Sequence, residues 1–395
     1  MSRSEPPPLE CQRALFDLPP DVHYLNAAYM SPLLRAVEEA GIAGIRRKRF
    51  PASIGPDDFF RDADRARDRF ARLIHASEPA RVAVLPAVSY GIAVAARNTP
   101  IERGRNIVIV EGQFPSNALI WRRLARETGA ELRTIPAPEA VMGRSRDWNE
   151  RVLAAIDAAT AAVAIAPLHW TDGTRFDLVA IGRRAREHGA AFIVDGTQAV
   201  GATPFHADAV GADAVVCAAY KWLLGPYSLA FGWFGPRYDD GTPLEEAWLA
   251  RAGSHEFRSL VDHVDEYRPA AARYDVGGRS NFVLLPMAIA GMDRLLDWRV
   301  ERVEAYCRDL TAGFFEEIAD LGFLTDEPGG RAPHLFGLRT PPTLDVATLK
   351  SELERRRIHV SLRGAAVRLS PHVYNDAGDI EALREALAGA VGASV

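Results

Sequence analysis

The sequence predicts an α/β protein built on a mostly parallel sheet, followed by a smaller α+β unit. Three observations carry this. From about Arg81, short apolar runs without polar alternation recur; most are followed by an amphipathic stretch; and the texture changes after about Gly278. Near-continuous apolar runs suit strands buried on both faces of a parallel sheet. Strand–helix alternation calls for right-handed crossovers between them.

Taken in order, the N-terminal segment ending in YLNAAYMSPLLRAVEEA is expected to cross between the two units, with Ser31-Pro32 as a helix start. RVAVLP is a strand leading into a helix from Ser89, and NIVIVEG leads into a helix over 115–128. AAVAIAPL precedes a helix over 176–188, and AFIVDG and DAVVCAAY are two further buried strands. Beyond Gly278 a long helical stretch covers roughly 286–321. Strand candidates HLFGLR, IHVSL and AVRLS follow, with helices near 345–356 and 376–389. Residues 26–285 are assigned to the large unit, and residues 1–25 with 286–395 to the small one.

The 395 residues, 48% hydrophobic and 25% charged, match a soluble enzyme with enough core for a deep, dry site. Net charge is −5 with both signs mixed, and Arg46-Arg47-Lys48-Arg49 and Arg355-Arg356-Arg357 are short enough to be solvated helix faces, so no nucleic-acid partner is expected. MSRSEPPPLECQRALFDLPP lacks the apolar core of a signal peptide, and the most apolar stretches are broken by Pro, Ser, Gly or Lys. A cytoplasmic, membrane-free protein is the expectation. Cys11, Cys217 and Cys307 lie far apart with no CxxC pair, so neither a disulfide framework nor a bound metal is expected.

Candidate chemistry centres on Lys221, set between apolar runs in DAVVCAAYKWLLGPYSLAFGWF. Desolvation lowers the pKa of an ammonium and makes the amine a nucleophile toward an aldehyde; alone, such a lysine is as readily one that snorkels or pairs with a carboxylate. Asp195 ends the run AFIVD, and strand C-termini of open parallel sheets are where ligands bind. A fixed anion there would keep a pyridine nitrogen protonated, as pyridoxal 5′-phosphate (PLP) requires; the alternative is a strand-end aspartate capping its turn. At Ala87–Ser89 of LPAVSYGIAVAARN a strand gives way to a helix, whose free N–H groups suit a phosphate. Phe114 follows a strand end and could lie on the ring, or be an ordinary core aromatic.

Together, LNAAYMSP, FPSN, HWTDG, DGTQAVG, AYKWLLGP and RLSPHVYN resemble the class V aminotransferases, fold-type I PLP enzymes that include cysteine desulfurases, kynureninases and isopenicillin N epimerase. The resemblance covers nearly the whole chain. It implies a large domain with a mostly parallel seven-stranded sheet flanked by helices, and a smaller C-terminal α+β domain. It implies that Lys221 is the Schiff-base lysine, Asp195 the pyridinium partner and Gln198 the side chain bonded to the ring hydroxyl. Ala87, Val88 and Ser89 fall at the phosphate turn, Tyr220 matches a phosphate-contacting tyrosine, and Phe114 a stacking phenylalanine. Arg279 and Ser280 of GGRSN fall where the family reaches into the neighbouring subunit's phosphate site, implying a homodimer. Arg368 matches the arginine that grips the substrate α-carboxylate, a task suited to bidentate geometry. Asn26, Tyr29 and His169 are placed at the substrate, with the contributions of His169 and Trp170 left open.

The chain departs from the desulfurase pattern where their nucleophilic cysteine sits, because residues 361–367 read SLRGAAV. Gln198 and HWTDG depart from kynureninase. The implied chemistry is transamination of an amino acid, with C–S or other lyase chemistry and epimerisation as alternatives. A PLP-fold protein that binds without turnover is disfavoured by the complete set Lys221, Asp195, Gln198 and Arg368. No GxGxxG follows a predicted strand, which argues against a nicotinamide dehydrogenase.

Overall fold

The computed structural model describes residues 7–363 and 366–394. After a short strand β1 (His23–Tyr24), the strands β2 (Val82–Leu85), β3 (Asn106–Val110), β4 (Glu131–Ile135), β5 (Thr160–Ile165), β6 (Ala191–Asp195), β7 (Ala214–Ala218) and β8 (Ala230–Phe234) follow in the first three-fifths of the chain. The last seven form one sheet in the order β2-β8-β7-β6-β5-β3-β4. All neighbouring pairs are parallel except those of β8, which runs against β7 and β2. The reason lies in the connection. Only residues 219–229 join β7 to β8, too few for the helical crossover that a parallel partner needs. That turn carries Lys221.

The apolar runs are buried on both faces, as their lack of alternation requires. Val82 and Val84 of β2 enter one core cluster while Ala83 and Leu85 enter another, and β3 divides the same way. Edge strand β4, with only Ile135 buried, is the strand whose polar pattern hid it from the sequence reading. A helix at Arg144–Ala155 was likewise not anticipated.

Strands β9 (Phe336–Arg339), β10 (Ile358–His359), β11 (Ser361–Arg363) and β12 (Ala366–Leu369) lie in the C-terminal part, where β11-β12-β9 form an antiparallel sheet and β10 pairs with β1. The N-terminal segment does cross between the two packing regions. Leu25 is buried in the C-terminal cluster, and Ala27 and Ala28 in the main one.

Two expectations need correction. The stretch 286–321 is three helices, Leu284–Trp298, Val300–Leu310 and Phe314–Asp320; the first break is at Arg299, whose left-handed φ of 64° interrupts the i→i+4 ladder, and the second falls at residues 311–313. Ser31 does not cap a helix: the helix starts at Arg35 after Leu34, and the Ser31 N–H donates to the Tyr220 carbonyl at 3.2 Å. That bond ties the crossing segment to the Lys221 turn.

Candidate active site

The parallel strands deliver their C-terminal ends to one crevice, and a cavity of about 310 Å³ opens there. Ala87, Val88 and Ser89 arrive from the end of β2, Phe114 from β3, Asp195 and Gln198 from β6, and Tyr220 and Lys221 from β7; all eight line the cavity. Its size suits a small molecule, for which sites span about 300–1,000 Å³.

Lys221 is 5% exposed, with Nζ 5.4 Å from the Phe114 ring centroid and 5.5 Å from that of Tyr220. Burial drives its pKa down from 10.5 to about 8, opposed by the Asp195 charge and aided by Arg368 and Arg363. Asp195 is 6% exposed, and its Oδ1 accepts from the Thr197 N–H at 3.1 Å. Burial pushes its carboxyl upward against the pull of Thr197 and Lys221. A dry carboxylate of this kind favours a cation beside it.

The helix Val88–Arg97, whose start also lines the cavity, begins without a side-chain cap, Ala87 being extended at φ −164°. The first N–H groups of a helix have no intrahelical partner, so this end offers free donors and a positive dipole to an anion. Gly91 lets the helix sit this close to the sheet: a Cβ there would lie 2.7 Å from Leu85 and Val216 side-chain carbons.

Gln198 is clamped from behind. Its Oε1 accepts from the Trp222 indole N–H at 2.9 Å, its Nε2 donates to the Ala28 carbonyl at 3.2 Å, and its backbone carbonyl accepts from His334 Nε2 at 2.8 Å. Burial holds the His334 pKa down at about 3, so this imidazole is a neutral donor. With Oε1 committed to Trp222 and one Nε2 proton to Ala28, the amide's remaining free group is a single N–H donor rather than an oxygen. The sequence reading saw Trp222 as apolar surroundings; its hydrogen-bonding role had no local signature.

Trp170 and His169 acquire defined places. The Trp170 indole N–H donates to the Gly112 carbonyl at 2.7 Å, and its ring meets Phe114 edge-on at 5.4 Å. His169 Nε2 bonds the Glu111 carbonyl at 3.2 Å and Nδ1 bonds the Thr171 hydroxyl at 2.7 Å, so both ring nitrogens are engaged with the protein. With Phe114 and Asp195 it lines a small recess beside the main cavity.

Arg368 is 2% exposed. Its guanidinium donates to the Trp170 carbonyl at 3.0 Å and to Ser361 Oγ at 3.1 Å, while Nε has no partner. Ser361 in turn donates to Asn26 Oδ1 at 2.8 Å, so Asn26 stands behind Arg368. Tyr29, 57% exposed, lies with Asn26 and Ser361 around a second cavity.

Arg279 and Ser280 are not brought to the main cavity within the chain. Arg279 is buried against Asp275, 2.9 Å from its Nε, and over the Phe60 ring at 5.2 Å; its two terminal nitrogens have no hydrogen-bond partner. Ser280 Oγ donates to the Phe59 carbonyl at 2.5 Å. Cys217 and Cys307 are buried and Cys11 is exposed, and none of the three lines the main cavity. Among the described residues no helix is long and apolar enough to cross a membrane, and no group of three or more His, Cys, Asp or Glu side chains is placed to hold a metal ion.

The fit to PLP therefore rests on the donor set lining one cavity: uncapped helix N–H groups, a buried carboxylate and a desolvated amine. Comparison with known proteins agrees in kind. The family model for class V aminotransferases matches residues 57–383. An isopenicillin N epimerase of Amycolatopsis lactamdurans is 27% identical over 400 residues, covering 95% of this chain and 96% of that protein. An uncharacterized aminotransferase, YcbU, of Bacillus subtilis strain 168 is 25% identical over 312 residues, covering 78% of this chain and 79% of that protein. The apo cysteine desulfurase from Thermococcus onnurineus NA1 superposes with a TM-score of 0.83 at 18% identity, covering 98% and 99% of the two chains.

Proposed function

We propose, from the premise that this chain belongs to the class V aminotransferase family, that it holds PLP through Lys221 and transforms the α-carbon of an amino acid. The observation that carries the proposal is one cavity joining the Lys221 amine, the buried Asp195 carboxylate and the uncapped helix start at Val88. When bound, PLP supplies an aldehyde for condensation with amines and a protonated ring that withdraws electrons from the substrate α-carbon.

The chain's own groups do the rest. The Val88 and Ser89 N–H groups hold the phosphate, and the Asp195 carboxylate holds the proton on the ring nitrogen. Phe114, braced by Trp170, would lie against the cofactor ring, and the free N–H of Gln198 would donate to the ring hydroxyl. Tyr220 supports the phosphate end. Arg368 takes the substrate carboxylate with Asn26 behind it, and Tyr29 and His169 border the substrate. Lys221, with its pKa near 8, moves the proton at the substrate α-carbon as general base and acid.

Transamination is the leading reaction. Epimerisation or lyase chemistry is the second reading, supported by the near full-length similarity to an isopenicillin N epimerase; desulfuration through a loop cysteine is disfavoured by SLRGAAV. The reading includes a homodimer with sites at the subunit interface, in which the unpartnered terminal nitrogens of Arg279 and the Ser280 segment serve the neighbouring phosphate site. It also includes a division into residues 26–285 and 1–25 with 286–395, and a cytoplasmic location, supported by three free cysteines.

The test is direct. Borohydride reduction of purified holoenzyme should fix PLP to the peptide containing Lys221, and Lys221→Ala should lack the visible absorption band. A wild-type protein that gains no band with added PLP would remove the cofactor claim. An amino-acid panel read for 2-oxo acid, ammonia, sulfide and racemised product then separates the reaction types.

A further inference from the structure

Two guanidiniums, Arg363 and Arg368, stand around the Trp170 indole, one more than an α-carboxylate needs, and Arg363 borders the second cavity with Asn26 and Tyr29. Strands β11 and β12 pair with Ser361 facing Arg368 and Arg363 facing Ala366. Facing residues, and residues two apart on a strand, share a face of the ladder, so Arg363 and Arg368 project from the same face. Both flank one indole: the Arg363 Cζ is 5.5 Å and the Arg368 Cζ 5.9 Å from the Trp170 ring.

Among the described residues neither guanidinium has a carboxylate ion-pair partner. Arg363 donates to the Leu362 carbonyl at 2.9 Å, Arg368 bonds the Trp170 carbonyl and the Ser361 hydroxyl, and the Nε of each is buried without a partner. Among the described residues the cations that bear electrostatically on Arg368 are Arg363 and Lys221, and no carboxylate is among its main influences. Arg363 also weighs on Lys221, which places it within electrostatic reach of the reacting amine. Two close guanidiniums repel each other and favour a ligand that brings two anionic groups. An arginine fork is matched to carboxylate geometry, which makes a second carboxylate the fitting group.

We propose that Arg363 is a specificity-determining residue that binds a carboxylate at the end of the substrate side chain, so that the enzyme acts on a dicarboxylic amino acid. This rests on the PLP-enzyme reading above, with Arg368 on the α-carboxylate.

Calorimetric titration of the holoenzyme with glutarate and with valerate, equal in chain length and different by one carboxylate, tests it without turnover. Glutarate is expected to bind about tenfold tighter or more, roughly 1.4 kcal/mol. Arg363→Gln should bring the ratio below about threefold, and Arg363→Lys should fall between. Equal affinities in the wild type, or an unchanged ratio in folded Arg363→Gln, would overturn the proposal. A protein that takes up no PLP would overturn the cofactor reading instead, and this inference with it; a coloured holoenzyme with no glutarate preference overturns the second-carboxylate assignment alone.

Discussion

Replacing Lys221 by methionine should stabilise the cofactor-free protein at neutral pH. The amine is 5% exposed and its pKa falls from 10.5 to about 8 through burial. At about 1.4 kcal/mol per pH unit, carrying this ammonium in the folded state costs roughly 3 kcal/mol at pH 7. Methionine fills a similar volume without charge. The sign follows from proton linkage: the unfolded chain binds the Lys221 proton up to pH 10.5, while the folded chain has lost it above about 8. Between these values the unfolded state holds more protons, so this group's contribution to stability rises with pH. Lys221→Met should therefore exceed the wild type most below pH 8, and the gain should shrink as pH rises toward 10.5. Urea-unfolding midpoints of both cofactor-free proteins across pH 7–10 measure this. A difference that does not vary with pH, or a less stable variant at pH 7, would refute the claim that the Lys221 amine is held desolvated with a lowered pKa.

Arg368→Ala should raise KM for α-amino acids about 10- to 100-fold, the value of a charged hydrogen bond of roughly 1.5–3 kcal/mol; steady-state kinetics with an unchanged KM would move carboxylate recognition elsewhere. Trp222→Phe removes the donor to Gln198 Oε1 and frees the amide to turn. The expected result is about tenfold weaker PLP binding and a shifted pH titration of the visible band, with leaving an acceptor unpaired costing about 1–3 kcal/mol. An unaltered band titration would show that the clamp does not act on the cofactor. Gly91→Ala places a Cβ 2.7 Å from side-chain carbons of Leu85 and Val216, so those side chains or the helix Val88–Arg97 must give way. Overpacking of this kind costs roughly 1–3 kcal/mol, and PLP retention in dialysis should fall together with Tm; a normal Tm and normal retention would contradict the close packing.

What could be read from the chain was whatever is local along it. The buried strands, the helix start after Leu85, and the positions of Asp195 and Lys221 at strand ends follow from uninterrupted apolar runs and the residues that end them. The limits are also physical. Strand β4 was missed because an edge strand with one buried residue carries no apolar signature. The break at Arg299 was missed because a left-handed arginine leaves no mark in helical periodicity. His169, Trp170 and Trp222 were seen as residues but not as contacts, since their partners Glu111, Gly112 and Gln198 lie 24 to 58 positions away.

The sequence by itself determined the fully buried sheet-forming segments, the membership of a family and the candidate amine and carboxylate, because each depends on residue type and short-range pattern. Only the tertiary structure decided that Gln198 keeps its Oε1 on Trp222 and one N–H free, that Asn26 backs Arg368 through Ser361, and that Arg363 joins Arg368 around one indole. Those facts depend on strand register and on burial, which set which charges meet and how much water separates them.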